Sequence, residues 1–185
     1  MKDSLWSVDL FRCESIFLKT HWVMVVMDQF TRRIIGFGVH KGDVDGPALC
    51  RMFNRATIGK GSPRHLSSDH DPLFRYRQWR ANLRIREIEE IKTVPHAPIS
   101  HPFTERLVGT IRRECPDQTL FWNDRDLEEK LEEFQDYYNA HRVHQALDLK
   151  TPEEAAGKSP PIRADLRNFT WRSHCRGLFH IPMAA

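Results

Sequence analysis

Apolar and polar positions fall into two periods along this chain. Leu5 to Phe11 alternates, with Trp6, Val8 and Leu10 on one side and Ser7 and Asp9 on the other, the period of a strand. His21 to Asp28 is a continuous apolar run of strand length, as expected for a central strand covered on both faces. Ile34 to Val39 follows across the polar link Gln29 to Arg33. The three segments predict an antiparallel meander.

The period then changes. Asp45 is a candidate helix cap with Pro47 in the first turn, and Leu49, Met52, Phe53 and Ala56 recur at helical spacing until Gly59–Pro63. Arg64 to Ser68 predicts a short strand that delivers Asp69-His70-Asp71-Pro72 at its C-terminal end. Leu73 to Leu83 predicts a helix carrying Phe74 and Trp79, and a further strand lies within Ile85 to Val94. The segment from Pro95 to Pro102 holds three prolines and predicts a loop. A helix begins at Pro102, with Phe103, Leu107, Val108, Ile111 and Cys115 as its apolar stripe and Pro116 as its stop. Glu105 and Arg112 are seven apart and share one side of it. A long helix is expected from Asp124 to Leu147, buried through Leu127, Leu131, Phe134 and Tyr138. Thr151-Pro152-Glu153-Glu154 is a capping box that opens one more short helix. Residues 1–157 thus form one domain, and 158–185 a linker and short C-terminal appendage.

Composition narrows the class without choosing a function. The 185 residues are 40% hydrophobic and 29% charged, enough for a real core, and the net charge of +3 permits a nucleic-acid partner without arguing for one. Cys13, Cys50, Cys115 and Cys175 have no metal-ligand spacing and are expected as reduced thiols. The longest aliphatic run, Trp22 to Met27, is too short to span a bilayer, so an intracellular, cytoplasmic protein is expected.

Three carboxylates stand out by position. Asp9 interrupts a hydrophobic strand, where a charge is costly unless paired or bound to a cation. Asp69 follows the end of a strand and Glu105 opens a helix, places where open α/β sheets gather functional groups. Carboxylate oxygens are hard ligands suited to Mg²⁺ or Mn²⁺.

Their surroundings resemble a known family. Between Asp69 and Glu105 lie 35 residues, a spacing similar to the D,D(35)E signature of bacterial insertion-sequence transposases and retroviral integrases. Trp6-Ser7-Val8-Asp9, Leu66-Ser67-Ser68-Asp69 and His101-Pro102-Phe103-Thr104-Glu105-Arg106 resemble the segments that carry the family's carboxylates. Arg112 matches a basic residue of the same helix face. Tyr138 to Leu147 and Thr151 to Ala155 resemble its closing motif. The resemblance covers roughly residues 5 to 157. It implies an α/β, RNase H-like fold, a five-stranded mixed sheet flanked by helices. It also implies metal-dependent DNA cleavage and strand transfer with two divalent ions held by Asp9, Asp69 and Glu105. Arg112 would bind DNA, no organic cofactor or membrane is involved, and the partners are element ends, target DNA and further copies of the chain.

The chain departs from the family at several points. His70 and Asp71 stand where the family often has Asn and Gly, and Pro102-Phe103-Thr104 replaces an Asn- or Gly-containing turn. No end-binding helix-turn-helix is visible before the first strand. The alternative expectation is therefore a truncated, inactive remnant acting only through DNA binding or oligomerisation. Among other polar groups, Asp28 and Asp71 are expected in turns, and Glu114 is a poorer ligand candidate than Glu105. His141 and His144 are expected to pack or hydrogen-bond. Arg75, Arg77, Arg80, Arg84 and Arg86 form either a solvated helix face or a track for DNA phosphates.

Overall fold

The computed structural model describes residues 4–92, 102–114, 119–158 and 169–184, with the side chains of 102–105, 169 and 184 left out. The meander expected at the start is present as β1 (Leu5–Glu14), β2 (Thr20–Asp28) and β3 (Ile34–Lys41). It is followed by α1 (Gly46–Ala56), β4 (His65–Ser68), α2 (Arg77–Ile85) and β5 (Glu89–Lys92). The sheet order is β3-β2-β1-β4-β5, antiparallel on the β3 side and parallel from β1 to β5. Helices α3 (Pro102–Glu114), α4 (Asp124–Ala140) and α5 (Pro152–Ala155) complete this layer structure.

Alternation along β1 divides the core in two. Trp6 and Val8 pack with Met24, Val26, Leu66, α1 and α2 on one face. Phe11, with Val23, Val25 and Met27, packs with Leu107 and Ile111 of α3 and with Leu127, Leu131 and Phe134 of α4 on the other. Asp9 shares a side with Phe11 by period and so faces the α3 layer. Gly36 and Gly38 let α1 lie directly on β3: a Cβ on either would collide with the backbone carbonyl of Ala56 or Met52.

The expected helix at Leu73 to Leu83 is in fact two pieces. The Asp71 side chain accepts from Leu73 N and caps a 3-10 turn at Pro72–Arg75. Tyr76 is then extended (φ −57°, ψ 139°) before α2 starts. The long helix also ends early, at Ala140 rather than Leu147. Its apolar stripe stops at Tyr138, and the next positions on that face are His141, Arg142 and Gln145. A 3-10 turn at Gln145–Leu147 and a bridge between His144 and Lys150 follow instead. The Asp45 cap and the Thr151 capping box form as expected.

The C-terminal segment folds into a hairpin, β6 (Phe169–His174) and β7 (Phe179–Ala184), docked on α4. Phe179 stacks on Tyr137 with ring centroids 4.0 Å apart, Cys175 is buried in the α4 layer, and Arg176 reaches Asp126 at 2.8 Å. Among the described residues, no helix is long and apolar enough to cross a membrane.

Candidate active site

The parallel ladder between β1 and β4 pairs Leu5 with His65, Trp6 with Leu66 and Ser7 with Ser67. Two residues beyond that last pair stand Asp9, within β1, and Asp69, just past the end of β4. Asp9 is half-buried in the middle of β1, and its Oδ1 accepts from the Leu10 amide at 2.7 Å. Asp69 is half-buried just past β4, and its Oδ1 accepts from the Asp71 amide at 3.0 Å. The β1–β4 pairing runs as far as Ser7 and Ser67, two residues short of each carboxylate.

Glu105 lies within α3, which packs against β1 on the Asp9 face through Leu107 and Ile111. Its side chain is outside the described residues. Arg112 is exposed, seven residues on, along the same helix face. Among the described residues, no group of three or more His, Cys, Asp or Glu is arranged to hold a metal ion; Glu105 falls outside that set. The donor chemistry nonetheless suits hard divalent ions, because oxygen ligands from Asp9, Asp69 and Glu105 are the type that Mg²⁺ and Mn²⁺ take.

Asp71 stands in a turn two residues after Asp69. Its Oδ1 accepts from the Leu73 amide at 2.8 Å, the turn role expected for it beside Pro72. Asp28 likewise closes its turn, its Oδ2 accepting from the Thr31 hydroxyl at 2.6 Å and amide at 3.1 Å.

One group next to Asp69 escaped the sequence reading. Glu90 on β5 accepts three donors on Oε1: Lys92 Nζ at 2.7 Å, Ser68 Oγ at 2.8 Å and Trp79 Nε1 at 3.0 Å. Lys92 also donates to Ser68 Oγ at 2.8 Å and to the Asp69 carbonyl at 3.4 Å. The cluster ties β5 and α2 to the backbone that carries Asp69. The only signal for it was Glu90 and Lys92 two apart on a strand, which the mixed pattern of that segment hid.

The closing motif is structural wherever it is described. Asn139 is buried, accepting from Ile34 N and donating to Ile34 O, each at 2.9 Å, which satisfies a backbone position of edge strand β3. His144 packs edge-on against Tyr138 at 4.7 Å, and His141 lies 4.5 Å from His174 of the hairpin. These two histidines pack, as expected. The arginine stretch divides. Arg86 is engaged, donating to Thr57 Oγ1 at 2.7 Å and lying over the Phe53 ring. Arg75, Arg77, Arg80 and Arg84 are exposed beside Tyr76 and line one groove.

The model of the integrase core domain matches residues 86–152, the stretch that includes β5, Glu105, Arg112 and the closing motif. The uncharacterized 39.2 kDa protein of insertion element IS476 of Xanthomonas euvesicatoria is 26% identical over 156 residues, 84% of this chain and 45% of the relative. The uncharacterized 31.7 kDa protein of insertion element IS407 of Burkholderia multivorans is 26% identical over 161 residues, 84% of this chain and 56% of the relative. The chain spans about half the length of the curated relatives it matches. Among solved structures, the HTLV-2 integrase catalytic core domain in complex with magnesium superposes with a TM-score of 0.64 at 16% identity, covering 84% of this chain and 97% of that one. A chain of the simian T-cell lymphotropic virus intasome in complex with PP2A regulatory subunit B56 gamma gives a TM-score of 0.71 at 15% identity, covering 100% of this chain and 68% of that one. At such identities the likeness establishes the fold, which is the RNase H-like fold of retroviral integrase cores.

Proposed function

We propose that this chain, a DDE-type integrase and transposase core by sequence and fold, cleaves DNA at element ends and joins the freed ends to target DNA. The observation that supports the reading is the β1–β4 register: Asp9 and Asp69 each stand two residues beyond the Ser7–Ser67 pair, and α3, which carries Glu105, packs against β1. Asp9, Asp69 and Glu105 would hold two Mg²⁺ or Mn²⁺ ions, which would activate the attacking oxygen and stabilise the leaving 3′ oxygen. The residues' own task is to fix the donor oxygens on the scaffold, one within β1, one just past the end of β4 and one on α3. Arg112 would neutralise a DNA phosphate along α3, and the exposed arginines of α2 would extend that contact.

Two transfers share this site. Water attacks a phosphodiester at the element end, and the bond to the 3′ oxygen breaks to leave a 3′-OH. That hydroxyl then attacks a target phosphodiester, forming a new bond to phosphorus and releasing the target's own 3′ oxygen. The magnesium-bound HTLV-2 integrase core, which shares this fold, supports the choice of ion. Dimeric and trimeric forms of that core support self-association here.

The test is Mn²⁺-dependent cleavage and joining on a branched DNA substrate, with the wild-type chain beside Asp69→Asn and Glu105→Gln. Products that require metal and vanish in both variants establish the reaction. A folded wild-type chain that gives none favours a non-catalytic fragment that binds DNA or other copies. Products that survive both substitutions refute this carboxylate assignment.

A further inference from the structure

The early end of α4 frees Arg142 to reach across to α3. Its Nη2 donates to Glu114 Oε1 at 2.9 Å and its Nε to Glu114 Oε2 at 3.1 Å, a bidentate pair. The two side chains are only 27% and 21% exposed. The guanidinium lies over the Tyr138 ring, 5.6 Å from its centre; His144 packs edge-on against the same ring at 4.7 Å, its Nδ1 3.5 Å from Arg142 Nη1. Burial works against the Arg142 charge, but the Glu114 carboxylate, together with Tyr138 and Tyr137, holds the guanidinium pKa above its ordinary value.

Glu114 is the last residue of α3, and Glu105 lies nine residues earlier on the same helix, about 13 Å along its axis. Leu107 and Ile111 set how deeply α3 sits, but apolar packing is non-directional and tolerates sliding and rolling. A forked pair with fixed geometry does not. We infer that Arg142 and Glu114 are a positioning pair that sets the axial and rotational register of α3. Resting on the function proposed above, they thereby set where Glu105 and Arg112 stand against Asp9 and Asp69. The Arg142 of the closing motif acts through the helix and touches no substrate.

The test uses the full chain with Glu114→Gln, Arg142→Lys and the reversed pair Glu114→Arg/Arg142→Glu. Two measurements are made: hydrogen exchange along residues 102–114, and the Mn²⁺ concentration that gives half-maximal cleavage of branched DNA. Each single variant should raise that concentration about tenfold, the scale for groups that orient metal ligands. Faster exchange should be confined to 102–114, and the reversed pair should recover part of both effects. Exchange that rises throughout the chain with an unchanged Mn²⁺ requirement marks an ordinary stabilising bond and overturns the inference. A wild-type chain that does not cleave defeats the functional reading alone. The exchange arm then decides the clamp: faster exchange in 102–114, reversed by the swapped pair, sustains it, and unchanged exchange overturns it.

Discussion

Ser7 pairs with Ser67 across the parallel ladder of β1 and β4, and Asp9 and Asp69 each lie two residues beyond that pair. If they serve one pair of metal ions, they act as a unit. Asp9→Asn and Asp69→Asn should each lower Mn²⁺-dependent cleavage by about a thousandfold or more, and the double variant should be no worse than either single one. Single-turnover rates on branched DNA check this. Losses that multiply in the double variant would show that the two groups work separately.

Arg77, Arg80 and Arg84 recur along one face of α2, and α2 contains no acidic residue. The opposite face buries Trp79 and Leu83. Three exposed guanidinium groups that contact DNA phosphates would each release a counterion. Changing all three to Gln should weaken duplex binding and reduce the slope of log affinity against log salt by about 0.9 per lost contact. Fluorescence anisotropy across a salt series measures the slope. An unchanged slope would mean that this face is only solvated.

Glu90 holds three donors on one oxygen, and removing it leaves the Trp79 indole N–H and the buried Ser68 hydroxyl without that acceptor. Glu90→Ala should cost about 2 kcal/mol, the scale for charge-assisted bonds lost at a buried site. It should also change Trp79 emission, because Trp79 is fully buried against Phe53 and Phe74. Urea unfolding followed by fluorescence reads both effects at once. A stability change below about 0.5 kcal/mol would show that water replaces the carboxylate with little loss.

We further propose that the hairpin β6–β7 belongs to the same cooperative unit as the core. Deleting residues 159–185 would bare Tyr137 and the site of Cys175, and would leave Asp126 with Lys130 but without Arg176. The midpoint of thermal unfolding should fall by about 2–4 °C for each kcal/mol lost. Calorimetry of both chains tests this. An unchanged midpoint would make the hairpin an independent appendage.

The elements that the sequence revealed are those whose pattern carries one message. β1 alternates, β2 is uniformly apolar, and Asp45 and Thr151 are caps with no competing role. α2 was misjudged at its start because Phe74 is buried from a 3-10 turn as well as it would be from a helix. The end of α4 was misjudged because His141, Arg142 and His144 are used for tertiary contacts, which periodicity does not report. At the site, the alignment of β1, which holds Asp9, with β4, which leads to Asp69, is set by strand register, a long-range property. Spacing along the chain pointed to it only through family resemblance. The Glu90 cluster was hidden for the same reason, since its partners Trp79 and Ser68 lie 11 and 22 residues away.

Acid should destabilise the α4 end of the molecule through its buried imidazoles. Burial, and then the charges of Arg142 and Arg32, push the His144 imidazole down to about 4. Burial also lowers His141 and His174, with His174 and Arg172 adding for the first and Arg172 for the second. In the unfolded chain such rings take up a proton near the ordinary value of about 6.5. Between about 6.5 and 4 the unfolded state therefore binds more protons, so stability present above that window is lost as the pH falls through it. Each imidazole contributes at most about 1.4 kcal/mol per pH unit. Urea unfolding at about pH 7.5, 6 and 5 measures the slope. His144→Gln should flatten it, because the amide can pack on Tyr138 without taking a proton. A slope that the substitution leaves untouched would assign the acid sensitivity to the His141–His174 contact instead.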